Sequence, residues 1–345
     1  MLYKTHICTW LYAEPEGEES QYPQVGGTSS TTAFQAVYWR CVVVFFATSL
    51  RHNPDAQHVL FTNMPHLPTV DGFDIAAFFD RHGIDHIQVP FTYQPPPGYH
   101  PQWRNQFYML DLIERMAQMV EADDVLFLLD SDCVWVESAD RMCKALNQHG
   151  LLTYDMAYPK DHVINGLTRM EMKAVFEDIE DDRVAELPDY YGGEFFAALG
   201  SDIQQLAEQF NPLWEVQCGR FRAGQKKFNE EAHFFSFLYH RLGYAGGTAN
   251  PFIRRIWTAF SYHNVSSDDV HLSLWHLPAE KQTGIKRLFH RVTRAEDAFW
   301  HLPVGEPLKE YLGRALGIPH RTAGKWLLDV TDSIKRKGRS LMRRG

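Results

Sequence analysis

Asp130 and Asp132 stand one residue apart, directly after the apolar run Val125 to Leu129. Five apolar residues in a row suit a strand covered on both faces, as inside a parallel sheet. Side chains at i and i+2 of extended backbone share a direction, so both carboxylates can face one cation. Carboxylate oxygens suit Mg2+ or Mn2+, ions commonly shared with substrate phosphates. Open α/β sheets place their ligands at the carboxyl ends of strands, which is where this pair falls. The pattern predicts a metal-diphosphate site. Aspartates after a strand also shape turns and cap helices, and Ser138 is a candidate start for the next helix.

Two further clusters carry polar chemistry. Residues 189–200 place Gly192 and Gly193 inside an aromatic segment, Tyr190-Tyr191-Gly192-Gly193-Glu194-Phe195-Phe196. Glycines in such a strand mark a bulge or a place where a ligand approaches bare backbone. Further on, Asn229-Glu230-Glu231-Ala232-His233 opens a helical pattern that runs to about 242. Asn229 is a suitable N-cap, and glutamates in the first turn complement the helix dipole, so capping alone accounts for both.

The elements that must position these groups alternate. Strands are expected at 3–11, 58–62 and 84–91, with helices over about 32–52, 71–82 and 103–120 between them and the Asp-x-Asp strand after the last. Residues 13–30, rich in Glu, Gly, Ser and Pro, read as an exposed loop. Strand and helix in strict alternation predict an α/β fold with a parallel sheet and helices on both faces. No G-x-G-x-x-G follows the first strand and no phosphate loop of the G-x-x-x-x-G-K type occurs, which argues against dinucleotide or P-loop chemistry. The glycine-rich first loop of sugar-phosphate nucleotidyltransferases is also missing, which leaves that class a weak rival.

The Asp-x-Asp strand, the Tyr-Tyr-Gly-Gly-x-Phe-Phe segment and the Glu-Glu-x-His helix start together resemble the GT-A glycosyltransferases. The retaining family 6 enzymes, which include the blood-group and α-1,3-galactosyltransferases, are closest in pattern. The chain departs from them in having Ala197-Ala198 for a second glycine pair and Asn229-Glu230 for their His-Asp, and the likeness covers only about residues 100–245. It implies a GT-A, Rossmann-like, mostly parallel sheet flanked by helices over residues 1–280. A nucleotide-sugar half would span 1–135 and an acceptor half 136–280, with a helical basic extension over 281–345.

The same likeness implies roles. A UDP-sugar donor would have its diphosphate neutralised by Mn2+ or Mg2+ on Asp130 and Asp132. A carboxylate beneath the anomeric centre would stabilise or attack it, with Glu231 matching the family's catalytic residue and Glu230 second. Tyr191, Gly192, Gly193 and His233 would contact sugar. By likeness to family 8, His276 would be a third metal ligand and Lys281 would bind diphosphate. Thr9 and Trp10 would face the nucleotide base, and Arg104 the donor. Retention is the expected outcome. Inverting transfer, with a Glu as general base, and a non-catalytic nucleotide-sugar or glycan-binding protein are the alternatives.

Composition is that of an ordinary globular protein, 45% hydrophobic and 22% charged. Five cysteines at 8, 41, 133, 143 and 218 form no finger spacing, and their odd number argues against a disulfide framework. No apolar run reads as a membrane span and the first residues lack a signal pattern, so a cytoplasmic location is expected. The net charge is −9, yet residues 331–345 carry six cations against Asp332. The acidic remainder argues against nucleic acid. The tail, with Trp326, Leu327, Val330 and Ile334 among its cations, reads as an amphipathic helix for an anionic membrane surface, which would suit a glycan or glycolipid acceptor.

Overall fold

The computed structural model describes residues 4–22, 24–260 and 262–331. The basic residues 335–344 lie outside the described residues. The chain is an α/β protein built on a six-strand, mostly parallel sheet flanked by helices, with further helices at the C-terminal end of the described residues.

Strand β1 (Thr5–Leu11) is central. It runs through helix α1 (Thr32–His52) into β2 (Gln57–Thr62), its parallel neighbour. A small hairpin, β3 (Thr69–Val70) and β4 (Phe73–Asp74), leads into α2 (Ile75–His82) and then β5 (Asp85–Gln88) at the sheet edge. Asp74 caps α2 through the Ala77 N–H, and Gly83 ends it with φ 63°, a left-handed conformation that a Cβ disfavours. The chain then crosses back through a 3-10 turn at Arg104–Phe107 and α3 (Tyr108–Ala117) to β6 (Val125–Leu129). This strand pairs with the free side of β1.

The remaining sheet strands are antiparallel additions. After β7 (Cys133–Trp135) and α4 (Asp140–His149) comes the short β8 (Leu151–Leu152). Helix α5 (Arg169–Glu180) precedes β9 (Phe195–Leu199), which pairs antiparallel with both β6 and β8. The order is thus β5-β2-β1-β6-β9-β8. Helices α6 (Gly200–Arg222) and α7 (Glu231–Arg241) follow. A second sheet forms from β10 (Ile253–Arg255), β11 (Leu274–His276) and β7. Helices α8 (Gly284–Val292), α9 (Ala298–His301) and α10 (Glu306–Leu316) come next, and residues 323–331 are also helical.

Alternation along β6 divides the core into two layers. Val125, Phe127 and Leu129 pack with α1, α4, α8 and α10, whereas Leu126 and Leu128 pack with α3, α5, α6 and α7. All five are fully buried or nearly so, as a strand covered on both faces requires. Helix α1 is long and apolar enough to cross a membrane by length and composition, although no apolar run was expected to do so. Two thirds of its apolar window is buried in the protein, against β1, β7 and α8.

Some boundaries differ from the expected ones. The glycine pair precedes β9 instead of interrupting a strand, and the expected helix over 103–120 begins with a tighter 3-10 turn. The segment 13–30 is not simply exposed. Its Glu14 is buried and accepts hydrogen bonds from the Ser20 N–H at 2.8 Å, the Tyr22 and Ser29 hydroxyls and the Asn105 amide. One carboxylate with four donors folds that loop against the 3-10 turn.

Candidate functional site: an Asp-Asp-His cluster in a cleft at the sheet edge

Strand order reverses between β1 and β6, because β1 leads to β2 on one side while β6 lies on the other. Such a switch point opens a crevice at the carboxyl ends of the strands, where α/β proteins bind ligands. A cavity of about 320 Å³ lies there, lined by Trp10 and Leu11 from β1 and by Asp130, Ser131 and Asp132 from the end of β6.

The two aspartates shape a turn between β6 and β7 and cap no helix. The Cys133 N–H donates to the Asp130 carbonyl at 3.0 Å, and α4 begins at Asp140 after Ala139, with the Ser138 hydroxyl bound to the Asp140 carboxylate. The tight turn sends β7 into the second sheet, where Cys133 pairs with His276 of β11 and the Leu277 N–H donates to the Asp132 carbonyl at 3.1 Å. Backbone pairing therefore brings a histidine from far along the chain beside the aspartates. His276 Nε2 lies 3.2 Å from Asp132 Oδ2 and 3.9 Å from Asp130 Oδ2. One ligand atom from each of Asp130, Asp132 and His276 lies within 4.8 Å of the others, a possible metal site.

The electrostatics divide the pair. Asp132 is buried; burial alone would raise its carboxyl, but the Lys281 ammonium bound to it, and then His276, hold it well below the usual range. Asp130, more open to the cavity, is pushed up by burial and by the Asp132 charge. Burial disfavours the His276 imidazolium, yet Asp132 and Glu194 outweigh it and bring the ring up to about 9. Two oxygen anions and an imidazole are a donor set that Mn2+ accepts readily and Mg2+ less so. The residues present fit a divalent cation.

Glu230 and Glu231 also line this cavity. Capping does not account for Glu230, whereas Glu231 does sit in the first turn of α7. Glu230, not Asn229, occupies the N-cap position of α7, and its side chain makes no cap bond. Its carboxylate instead accepts from the Tyr190 hydroxyl at 2.8 Å and from the Asn165 amide. Asn229 donates to the Asn165 carbonyl at 2.9 Å. Glu231 is buried, and its Oε2 has no hydrogen-bond partner. Burial, then the Glu230 charge, raises its carboxyl well above the ordinary value.

Gly193 lines the cavity and Gly192 does not. The Glu194 carboxylate occupies the place of a side chain on Gly192, and the Glu231 carboxylate that of one on Gly193. The doublet makes room for this chain's own acids.

Among the other expected residues, Lys281 and Trp10 line the cavity, and Trp10 lies edge-on to Tyr108. Thr9 does not line it: Thr9 is fully buried, with its hydroxyl on the Leu129 carbonyl at 2.8 Å. Tyr191 turns away from the cleft toward Tyr239, its N–H held by the Ser236 hydroxyl at 3.0 Å. Its neighbour Tyr190 reaches the cleft instead. His233 lies behind Glu230, with Nδ1 3.5 Å from that carboxylate, and burial lowers its ring to about 3. Arg104 is half-buried in the 3-10 turn, while Trp103 and Gln106 on either side line the cavity.

Sequence reasoning missed Glu194 and Arg255. Glu194 is buried, accepts from His276 and is gripped by Arg255 Nε and Nη2 at 2.7 and 2.6 Å. A lone acid between glycines and aromatics, and a paired arginine in a strand, were the available signals, since charges are buried only when paired. No family model matches this chain, and no curated protein matches it either.

Proposed function

We propose that this protein is a metal-dependent glycosyltransferase of GT-A architecture, moving a hexose from a nucleotide sugar, with UDP as the favoured nucleotide, to a hydroxyl of a glycan or glycolipid. The observation that carries the reading is that the Asp130, Asp132 and His276 cluster shares one cleft, at the switch point of the sheet, with Glu230 and Glu231. A bound Mn2+ or Mg2+ would draw charge from the departing diphosphate. Lys281, now on Asp132, is within reach of the same phosphates as a point charge. Trp10 and Tyr38 offer rings on the nucleotide side of the cleft.

Glu231 is the reacting carboxylate of this proposal. Glu230 has a donor on each oxygen, from Tyr190 and Asn165, whereas Glu231 keeps an oxygen unbound. Retention, with Glu231 at the anomeric carbon, is the first reading. A raised carboxyl beside an acceptor site also suits a general base, which would invert the anomer. Exposure of Trp326, Leu327 and Leu328 supports peripheral contact with a membrane that carries the acceptor.

Incubation with UDP-sugars and Mn2+ should release UDP slowly even without acceptor. Asp132→Ala is expected to abolish metal-dependent UDP binding, and Glu231→Gln to keep binding but lose turnover. Nucleotide-sugar stabilisation with no turnover would mark a binding protein instead, and wild-type rates for Glu231→Gln would remove that residue from the chemistry. NMR of the product anomer separates retention from inversion.

A further inference from the structure

Glu194 touches two of the three members of the cluster, Asp130 and His276. Its carbonyl accepts the Asp130 N–H at 3.0 Å, and its Oε1 lies 3.0 Å from His276 Nδ1. Both of its oxygens are held by the fork of Arg255, which is strand-paired with His276 itself between β10 and β11. The glutamate side chain is almost fully buried. With the Arg255 guanidinium on both of its oxygens the carboxylate is an acceptor, so the ring nitrogen 3.0 Å from it carries a hydrogen. His276 is thereby set with Nδ1–H on Glu194 and Nε2 turned to Asp132 and Asp130.

We propose that Glu194, clamped by Arg255, is a positioning residue that presents His276 Nε2 as a metal ligand alongside Asp130 and Asp132. The inference rests on the metal reading of that cluster and not on the identity of the transferred group. A histidine that ligates metal commonly donates its other N–H to a carboxylate, which fixes the ring and raises its basicity. Here the carboxylate is neutralised by Arg255, so the ring is oriented without adding an uncompensated charge. Planar, bidentate pairing also fixes the glutamate's own angle, which a lysine could not do. Gly192 completes the device, because a Cβ there would collide with Glu194 Oε2 and with Tyr154.

The test measures Mn2+ binding by the full chain, from the free-ion EPR signal, in wild type, Glu194→Gln, Arg255→Met and Arg255→Lys. Loss of such an outer partner weakens metal affinity by roughly 10–100-fold. That loss is expected for Glu194→Gln and Arg255→Met, with near-UV circular dichroism unchanged, and a smaller one for Arg255→Lys, which keeps charge without the fork. Folded Glu194→Gln with wild-type Mn2+ affinity overturns the proposal. Removing one partner of a buried ion pair can unfold a protein, so a second measurement uses wild type alone. Imidazole nitrogen NMR with Zn2+ as a diamagnetic probe should show His276 with hydrogen on Nδ1 and none on Nε2. Hydrogen on Nε2 in that complex overturns the assignment. Wild type that takes up no divalent metal overturns the metal reading and this inference together, whereas metal binding indifferent to Glu194 overturns this inference alone.

Discussion

The Glu231 carboxylate fills the space that a side chain on Gly193 would need, so one of these residues is small because the other is large and charged. Glycine at 193 is explained without positive φ; the requirement is room.

Gly193→Ala should therefore displace the Glu231 carboxylate. Overpacking a filled site costs typically about 1–3 kcal/mol, and the low end is expected because a side-chain terminus can shift. Turnover of UDP-sugar should fall by more than about tenfold, since a 1 Å displacement of a reacting group can cost on the order of 100-fold. Mn2+ affinity should stay near wild type. Thermal unfolding and steady-state rates on the same preparation check both halves.

Glu231→Gln should stabilise the fold at neutral pH. A buried carboxyl raised above its unfolded value favours the native state below the ordinary glutamate range, and that contribution is lost as pH rises through the folded value. Wild type should thus lose stability relative to the glutamine variant as pH rises above about 4.5. Denaturant unfolding at pH 5 and pH 8 reads the difference. Equal pH dependence in the two proteins would show that Glu231 is not the buried acid described.

His58 works in the other direction. It is buried beside Ser49, with Nε2 2.8 Å from that hydroxyl, and burial lowers its ring to about 4. Burial, then Arg51, lowers His52 to about 4 as well. A histidine kept neutral in the folded state supports stability above its unfolded value near 6.5, and that support is lost as pH falls toward 4. Each such group gives a slope of up to about 1.4 kcal/mol per pH unit in that window. In His58→Leu the slope should shrink by about one proton's worth, measured by urea unfolding from pH 7.5 to 4.5.

Lys325 ties the last described helical segment to the site. It is almost fully buried between Glu280 and Asp329, at 2.9 and 2.8 Å, and Glu280 directly precedes Lys281. Breaking a buried pair by removing one partner costs roughly 3–5 kcal/mol. Lys325→Met should lower the melting temperature. It should also weaken UDP binding, because Glu280 holds the turn through Thr283 and the Gly284 N–H. Melting that drops with unchanged UDP affinity would separate this helix from the cleft.

Much of the sheet was legible in sequence. The apolar run 125–129 and the alternation of strand and helix require a layered α/β protein, because such strands must be buried on both faces. Helix α1 and strand β2 fall within a residue of their expected limits, Asn53-Pro54 closing the helix. Asp130 and Asp132 were legible as a pair from their place after a buried strand, but a turn and not period-two extension brings both to one site. Local rules also set limits to what could be read. They assigned Glu230 and Glu231 to capping as readily as to chemistry, and they did not show that the glycine pair leaves room for Glu194 and Glu231.

Tertiary structure decided the rest. His276 joins the aspartates only because the turn at Asp130 sends β7 into a second sheet beside β11, a pairing across about 140 residues that no local pattern encodes. Glu194 and Arg255 looked ordinary in the chain, since an ion pair has no period and shows itself only when both charges are buried together. Thr9 and Tyr191 turned away from the cleft, and Tyr190 toward it, through the facing of neighbouring residues at an element's end. Periodicity along a chain determines which face is buried, while the chemistry of this cleft depends on which distant faces meet.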